Sequence, residues 1–459
     1  VRLLHRASIS LLLPLLGAGV VLGMAAFAGA CSSSSDTGTI ALVAGEDDVF
    51  TAAPACTSVS VSLLSDDDSG TVTPLGSTSL PASSVALSDL SSSASGTLQV
   101  AAVDATGTVQ VRGTSLDLSI GGLAGETLDV YVQRIGQTSL MPNPLSTVHT
   151  APRVVISDQR YIAAVDPGAA NATLDLYDLL AFAPTTSVTI DRAANSLVAA
   201  NTLLVAIDPT GATYVDLLDL SSGELTAPAG ATFADVAGGQ TIVSPANVSF
   251  VVGATRQTGA ATQQILVVAA DGTTSFAQLQ TPRLGAAAAY VTGRGLVVVG
   301  GSALTGSAGA ELLADGASTS TELPLPLDAT TGAGAIALDN ETVLVAGGVL
   351  TDGDGGVSSG ATRLINLACT SEDCVTPWPA LPETLNPTTA FLLDGTAGAE
   401  SVLLVGDDAT TMTHAVLLNA ADAGDTPLRE ARQAARAVVL PTQGIAIVGG
   451  TTDIESYLP

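Results

Sequence analysis

The amino-acid sequence predicts an all-β protein whose larger part is a seven-bladed β-propeller, and three observations lead there. An apolar strand ending in small residues recurs along the chain, clearly in Val297–Gly301, Val343–Gly348 and Ile445–Gly450. Weaker copies are Tyr161–Val165, Leu203–Ile207, Phe250–Ala254 and Leu403–Asp407. The first small residue of each falls at 164, 206, 253, 300, 347, 406 and 449, in steps of 42, 47, 47, 47, 59 and 43. A period that steady marks one supersecondary unit copied along the chain. Residues 141–459 allow about 46 residues per unit, room for four short strands joined by Gly and Pro turns.

The elements ahead of the repeats follow in order. Arg2 and Arg6 precede an almost uncharged apolar run from Ala7 to Ala28, and Ala28-Gly29-Ala30 then meets Cys31. This is the charged segment, apolar segment and small-residue cleavage site of a secretory signal, over residues 1–30. Cys31 with Ser32-Ser33-Ser34-Ser35-Asp36 resembles the lipidated cysteine and polar tether of a bacterial lipoprotein, with Ala28 where that motif usually has Leu. The resemblance implies lipidation of Cys31 and a place in the cell envelope, as an outer-membrane lipoprotein or a periplasmic or extracellular protein. Cleaved soluble export is the alternative. Residues 31–55 read as a flexible acidic tether. Residues 56–140 alternate with the β period in Val59–Leu63, Val109–Arg112, Leu116–Ile120 and Leu128–Gln133. They predict a small antiparallel module, for which an immunoglobulin-like sandwich is one form.

Charge and hydropathy narrow the partners. All 14 basic residues are Arg against 43 acids, a formal net charge of −29, and removing the leader makes it 12 − 43 = −31. Such a surface repels nucleic acid and anionic headgroups, leaving protein, glycan or cations. The mean hydropathy of +0.47 comes from Ala, Val and Leu in short strands. No second long apolar run follows the leader, and 3% aromatics cannot build the girdles of a membrane barrel.

The repeat itself resembles the kelch motif: a hydrophobic strand ending in Gly-Gly, a strand carrying Tyr, and a Trp before a Pro-rich turn and Arg. Gly300-Gly301, Gly347-Gly348 and Gly449-Gly450 match the double glycine, Thr173–Asp178 the Tyr strand, Trp378 the Trp, and Pro152-Arg153, Pro282-Arg283 and Arg432 the turn. One Trp serves seven units, and four units lack the glycine pair. The resemblance implies a propeller over residues 141–459. After Gly450 only nine residues remain, so the last blade needs a strand from the N-terminal side, for which Leu128–Arg134 is the expected donor.

Residues able to do chemistry are few. Cys369 and Cys374 enclose four residues with no further metal ligands nearby, and export makes them a disulfide. Cys56 is free if Cys31 is lipidated and its partner otherwise. His149 and His414 are far apart in sequence and read as packed or solvated. No nucleophile elbow appears, and the copper ligands of galactose oxidase, which shares a kelch-like ring, are missing. Asp166, Asp208, Asp407 and Asp408 lie just past aligned strand ends, and a ring would bring such ends to one rim, as a cation or ligand site that Ca²⁺ would suit. The competing reading is that they start turns. Asp352-Gly353-Asp354-Gly355-Gly356 opens like a calcium loop but lacks the ligands at its fifth and twelfth positions.

The expected function is therefore a monomeric, exported, lipid-anchored binding or scaffold protein. It is expected to need no cofactor and to recognise protein or glycan through rim loops, above all those of the long step between Asp352 and Cys374. A carbohydrate-acting enzyme on a propeller scaffold is the alternative.

Overall fold

The computed structural model describes residues 37–459 apart from 67–69, 89, 91–92, 169–171, 191–193, 201–202, 208–213, 220–223, 227–234, 237, 255–258, 303–308, 327–329, 351–356, 370–371 and 397. The leader, Cys31, Asp208 and Asp352–Gly356 lie outside the described residues. Everything described falls within one compact unit.

The N-terminal part is one sheet of β1 (Gly38–Ala44), β2 (Cys56–Ser65), β3 (Val72–Ser79), β4 (Ser84–Leu87), β5 (Ser95–Asp104), β6 (Val109–Ser119) and β7 (Thr127–Arg134), in the order β3-β2-β5-β6-β7-β1-β4. Its two edge strands, β3 and β4, touch. A Cβ on Gly76 would lie 2.2 Å from the Ala86 carbonyl, so a side chain there would push the edges apart. The sheet is thus nearly closed on itself, which corrects the immunoglobulin-like expectation: its alternating residues Val59, Val61, Leu63, Leu98, Val100 and Ala102 fill the inside of one curled sheet. Residues 38–44, read as tether, form β1, parallel to β7. Residues 46–55 are also anchored, because Arg134 donates to the carbonyls of Val49, Ala52 and Pro54 at 3.0–3.1 Å.

Past β8 (Gln137–Leu140) the repeats form a propeller ring. Six sheets are four-stranded blades, with first strands at Ser196–Ala200, Gln240–Val243, Ala287–Val291, Gly334–Ala337, Thr388–Asp394 and Arg436–Val439. The expectation of a seven-bladed propeller is corrected to six blades: the first repeat forms no seventh four-stranded blade but a five-stranded sheet. Its outer edge is split into Ala183–Pro184 and Val188–Thr189, both paired to Thr173–Asp178. Pro184 supplies no N–H to continue the ladder. The innermost strands of the sheets touch in sequence, and the last, Arg436–Val439, touches Arg153–Ser157 of the first.

Ring closure uses β8, which pairs with Glu455–Leu458 from Leu140↔Glu455 to Gln137↔Leu458. The expected donor, Leu128–Arg134, is instead β7 of the N-terminal sheet. A turn at Gly136 (φ 70°) lets adjacent strands serve two different sheets. The seam is sealed by Tyr131, which packs with Met141, Phe182 and Ile454 and donates to the Leu140 carbonyl at 3.0 Å.

Candidate functional site

One polar slot recurs in register through the ring. Its two positions are the residue four before the start of pairing on the inner strand and the third-strand residue aligned one step before the end of the second strand. In the fourth repeat these are Arg283 and Glu311, 2.9 Å apart and fully buried; in the last they are Arg432 and Glu455, at 3.1 Å and equally buried. In the first repeat they are His149 and Asp175, at 3.4 Å, and in the fifth Thr330 accepts from Arg363 at 2.8 Å. The third repeat holds Val236 with Leu266 at these positions. In the sixth, the second strand runs on to Asp407 and pairing therefore starts one residue earlier, so the equivalent pair is Leu385, which accepts from the Gly348 N–H, with Val416, the partner of Leu404. Both pairs belong to apolar clusters.

The double glycines belong to the same device. All six residues of the three pairs have positive φ, from 70° to 110°, a region open to glycine. The N–H groups of Gly301, Gly348 and Gly450 donate to the carbonyls of Thr330, Leu385 and His149, the slot residues of the next repeat, at 2.7–2.8 Å. Arg283 and Arg432 donate to the Gly300 and Gly449 carbonyls of their own repeats. The close approach that these glycines permit is therefore to the loop entering a blade. A Cβ on Gly450 would meet the Gln433 nitrogen at 2.5 Å.

The described rim aspartates are partnered one by one. Asp166 faces His149 Nδ1 at 3.4 Å and accepts from the Thr150 N–H. Asp407 is buried, bonded to Thr413 and to Arg436 at 2.8 Å each. Asp408 forms the turn that the competing reading foresaw: its Oδ1 accepts from the N–H and hydroxyl of Thr410 and the N–H of Met412 at 2.7–2.9 Å. The Thr410 hydroxyl first, then these N–H groups and His414, hold its carboxyl at about 2. Asp175 is also held at about 2: burial opposes ionisation, and His149, Ser187 and Thr147 overcome it.

His414 is not isolated, as its sequence context had suggested. Gly406 pairs with His414 and Asp407 with Thr413 across a tight hairpin, which brings Asp408 Oδ2 to 3.3 Å from the imidazole Nε2. Glu383, in the loop before Thr388–Asp394, puts Oε1 2.5 Å from Nδ1. One ligand atom from each of Glu383, Asp408 and His414 lies within 4.8 Å of the others. Burial raises the Glu383 pKa against the pull of His414, and Asp425 and Asp408 raise it further. Hairpin spacing from Asp408 to His414 was the signal in the sequence; nothing local marked Glu383.

Cys369 and Cys374 are bonded, as expected. Cys56 forms no disulfide, and burial pushes its thiol up.

The inner strands enclose a cavity of about 560 Å³ with no charged side chain among the described residues of its lining. Of the six exposed large hydrophobics among the described residues, Val243, Leu392 and Val439 line it. All three lie at or near the C-terminal ends of inner strands, hence at one mouth. Second strands run antiparallel to the first, so the glycine pairs, Asp408 and His414 occupy the opposite rim. The Cys369–Cys374 loop follows a third strand and shares the apolar mouth, whereas the described residues between the second and third strands of the same repeat, 347–350 and 357–361, belong to the glycine rim.

No protein-family model matches the chain, and no curated protein matches it. The fold by itself defines the class: a β-propeller, in a pattern consistent with kelch-type blades, joined to a nearly closed β-barrel. No helix among the described residues is long and apolar enough to cross a membrane.

Proposed function

We propose that this chain is an exported, lipid-anchored and non-catalytic binding protein that takes an uncharged protein or glycan surface at the apolar mouth of the propeller. The observation that carries the reading is the contrast between a net charge of −29 and a cavity whose described lining holds no charged side chain. Innermost strands are sheet edges and offer unpaired backbone donors and acceptors, so the mouth combines apolar side chains with neutral hydrogen-bonding groups, the mixture typical of ligand pockets. The described aspartates of the other rim are occupied by turns and ion pairs. Export is supported by the leader pattern and by the Cys369–Cys374 bond, which suits an oxidising compartment.

Glycan and protein arrays probed with the full chain test this, beside a V243D/V439D variant and a hydrolase and oxidase screen. Specific hits that disappear in the variant are expected. Hits that survive it would move recognition elsewhere, and turnover of a glycan would replace the reading with the enzymatic alternative.

A further inference from the structure

We propose that Glu383, Asp408 and His414 form a site for one divalent transition cation of the zinc type on the glycine rim between the fifth and sixth repeats. Three separate backbone segments deliver the donors: the loop before Thr388–Asp394, the turn after Ser401–Asp407, and the strand Thr413–Asn419. Asp408 is preorganised, because its Oδ1 is saturated by Thr410 and Met412 and only Oδ2 is left to face the imidazole. That oxygen lies 3.3 Å from Nε2, close to the spacing of neighbouring donors held about 2.0–2.2 Å from a tetrahedral ion.

A second observation points to a ligand. Glu383 Oε1 exposes less than 1 Å² and, although it is ion-paired with His414 Nδ1 at 2.5 Å on a side chain that is otherwise part-exposed, it receives no well-directed hydrogen bond. Leaving a buried carboxylate oxygen unsatisfied is costly, and a cation shared with Asp408 would satisfy it. The surroundings add charge of the same sign, since Asp425 also acts on Glu383. One imidazole nitrogen with two carboxylates favours zinc-type ions over Ca²⁺ or Mg²⁺, which prefer oxygen alone. Three protein donors leave a further coordination position for water or for a donor group of a bound molecule. This differs from the calcium expectation by joining Asp408 to two residues that expectation did not include, and it does not depend on the apolar mouth.

The competing arrangement is a protonated imidazole bridging the two carboxylates with no ion. Cobalt(II) chloride titrated into the chelator-treated full chain separates them by visible absorption, with calcium chloride as competitor. The expected result is a ligand-field band that saturates at one equivalent and resists calcium. H414Q and D408N should each weaken binding at least about 10-fold, because even outer-sphere partners of a metal are worth that much. D408N keeps the Oδ1 acceptor of its turn, and E383Q serves if H414Q fails to fold by circular dichroism. No saturable band, a band unaffected by the folded variants, or equal displacement by calcium overturns the proposal.

Discussion

Glu455→Val should be among the most damaging single changes in the ring, and adding Arg432→Leu should undo most of the damage. Both side chains are 0% exposed and 3.1 Å apart. At that distance and an effective dielectric near 20, their attraction is about 5 kcal/mol. Removing one partner of a buried pair costs about 3–5 kcal/mol, mainly because the other charge is left unpaired. Arg432 would keep the Glu430 carboxylate at 3.5 Å, the Gly449 and Asp453 carbonyls and Thr451, so its charge is not left wholly unpaired and the expected loss falls at the low end, about 3 kcal/mol. The Arg429 N–H would also lose its 2.6 Å bond to Glu455. The double variant converts the slot to the kind of apolar pair that Leu385 and Val416 already make at the same register. Replacing a buried pair by packed apolar residues is often neutral, so the double should fall within about 1 kcal/mol of the parent. Urea denaturation of all four proteins, read by circular dichroism as a double-mutant cycle, measures the coupling. A double variant no more stable than E455V, or an E455V indistinguishable from the parent, would refute the interchangeability of the slot.

Two further outcomes follow from the seam and the first repeat. A fragment starting at residue 136 keeps β8 and should melt well above one starting at residue 142, which leaves Glu455–Leu458 as an open edge and should aggregate; equal melting temperatures would show that β8 does not close the ring. Asp175 ionises at about 2 instead of 3.8, a difference of about 2 kcal/mol. Because the folded value is the depressed one, that stability is present above pH 4 and is lost as the pH falls through about 2. D175N should therefore be less stable than the parent by about 2 kcal/mol at pH 7, with the gap narrowing toward pH 2. A gap that stays constant in acid melts would remove Asp175 from the account.

Particular elements show how far the residues could be read in advance. The spacing of Gly300, Gly347 and Gly449 revealed the repeat because a close backbone approach forbids a Cβ, and that constraint is local. The same reasoning could not reveal that the first repeat splits its outer strand at Pro184, since a fourth strand is short and weakly patterned in every unit. Leu128–Arg134 was the closing strand expected from pattern, and the turn at Gly136 instead keeps it in the N-terminal sheet and gives the closure to Gln137–Leu140. Asp408 was legible as a turn former, whereas its place beside His414 was not read, because the register that pairs Gly406 with His414 is fixed only in the folded hairpin. Glu383 was not, because its relation to them arises only from the packing of one repeat on the next.

By itself the sequence determined an all-β chain, a repeated four-strand unit, the three glycine pairs and the Cys369–Cys374 loop, all of which depend on contacts within a few dozen residues. Only the tertiary structure decided how the ring closes, how the N-terminal strands curl onto their own edges, and which rim carries His414 and which the apolar mouth. Those features depend on pairings between Leu140 and Glu455, β1 and β7, or Gly450 and His149, where the partners lie far apart in the chain and no local pattern records their meeting.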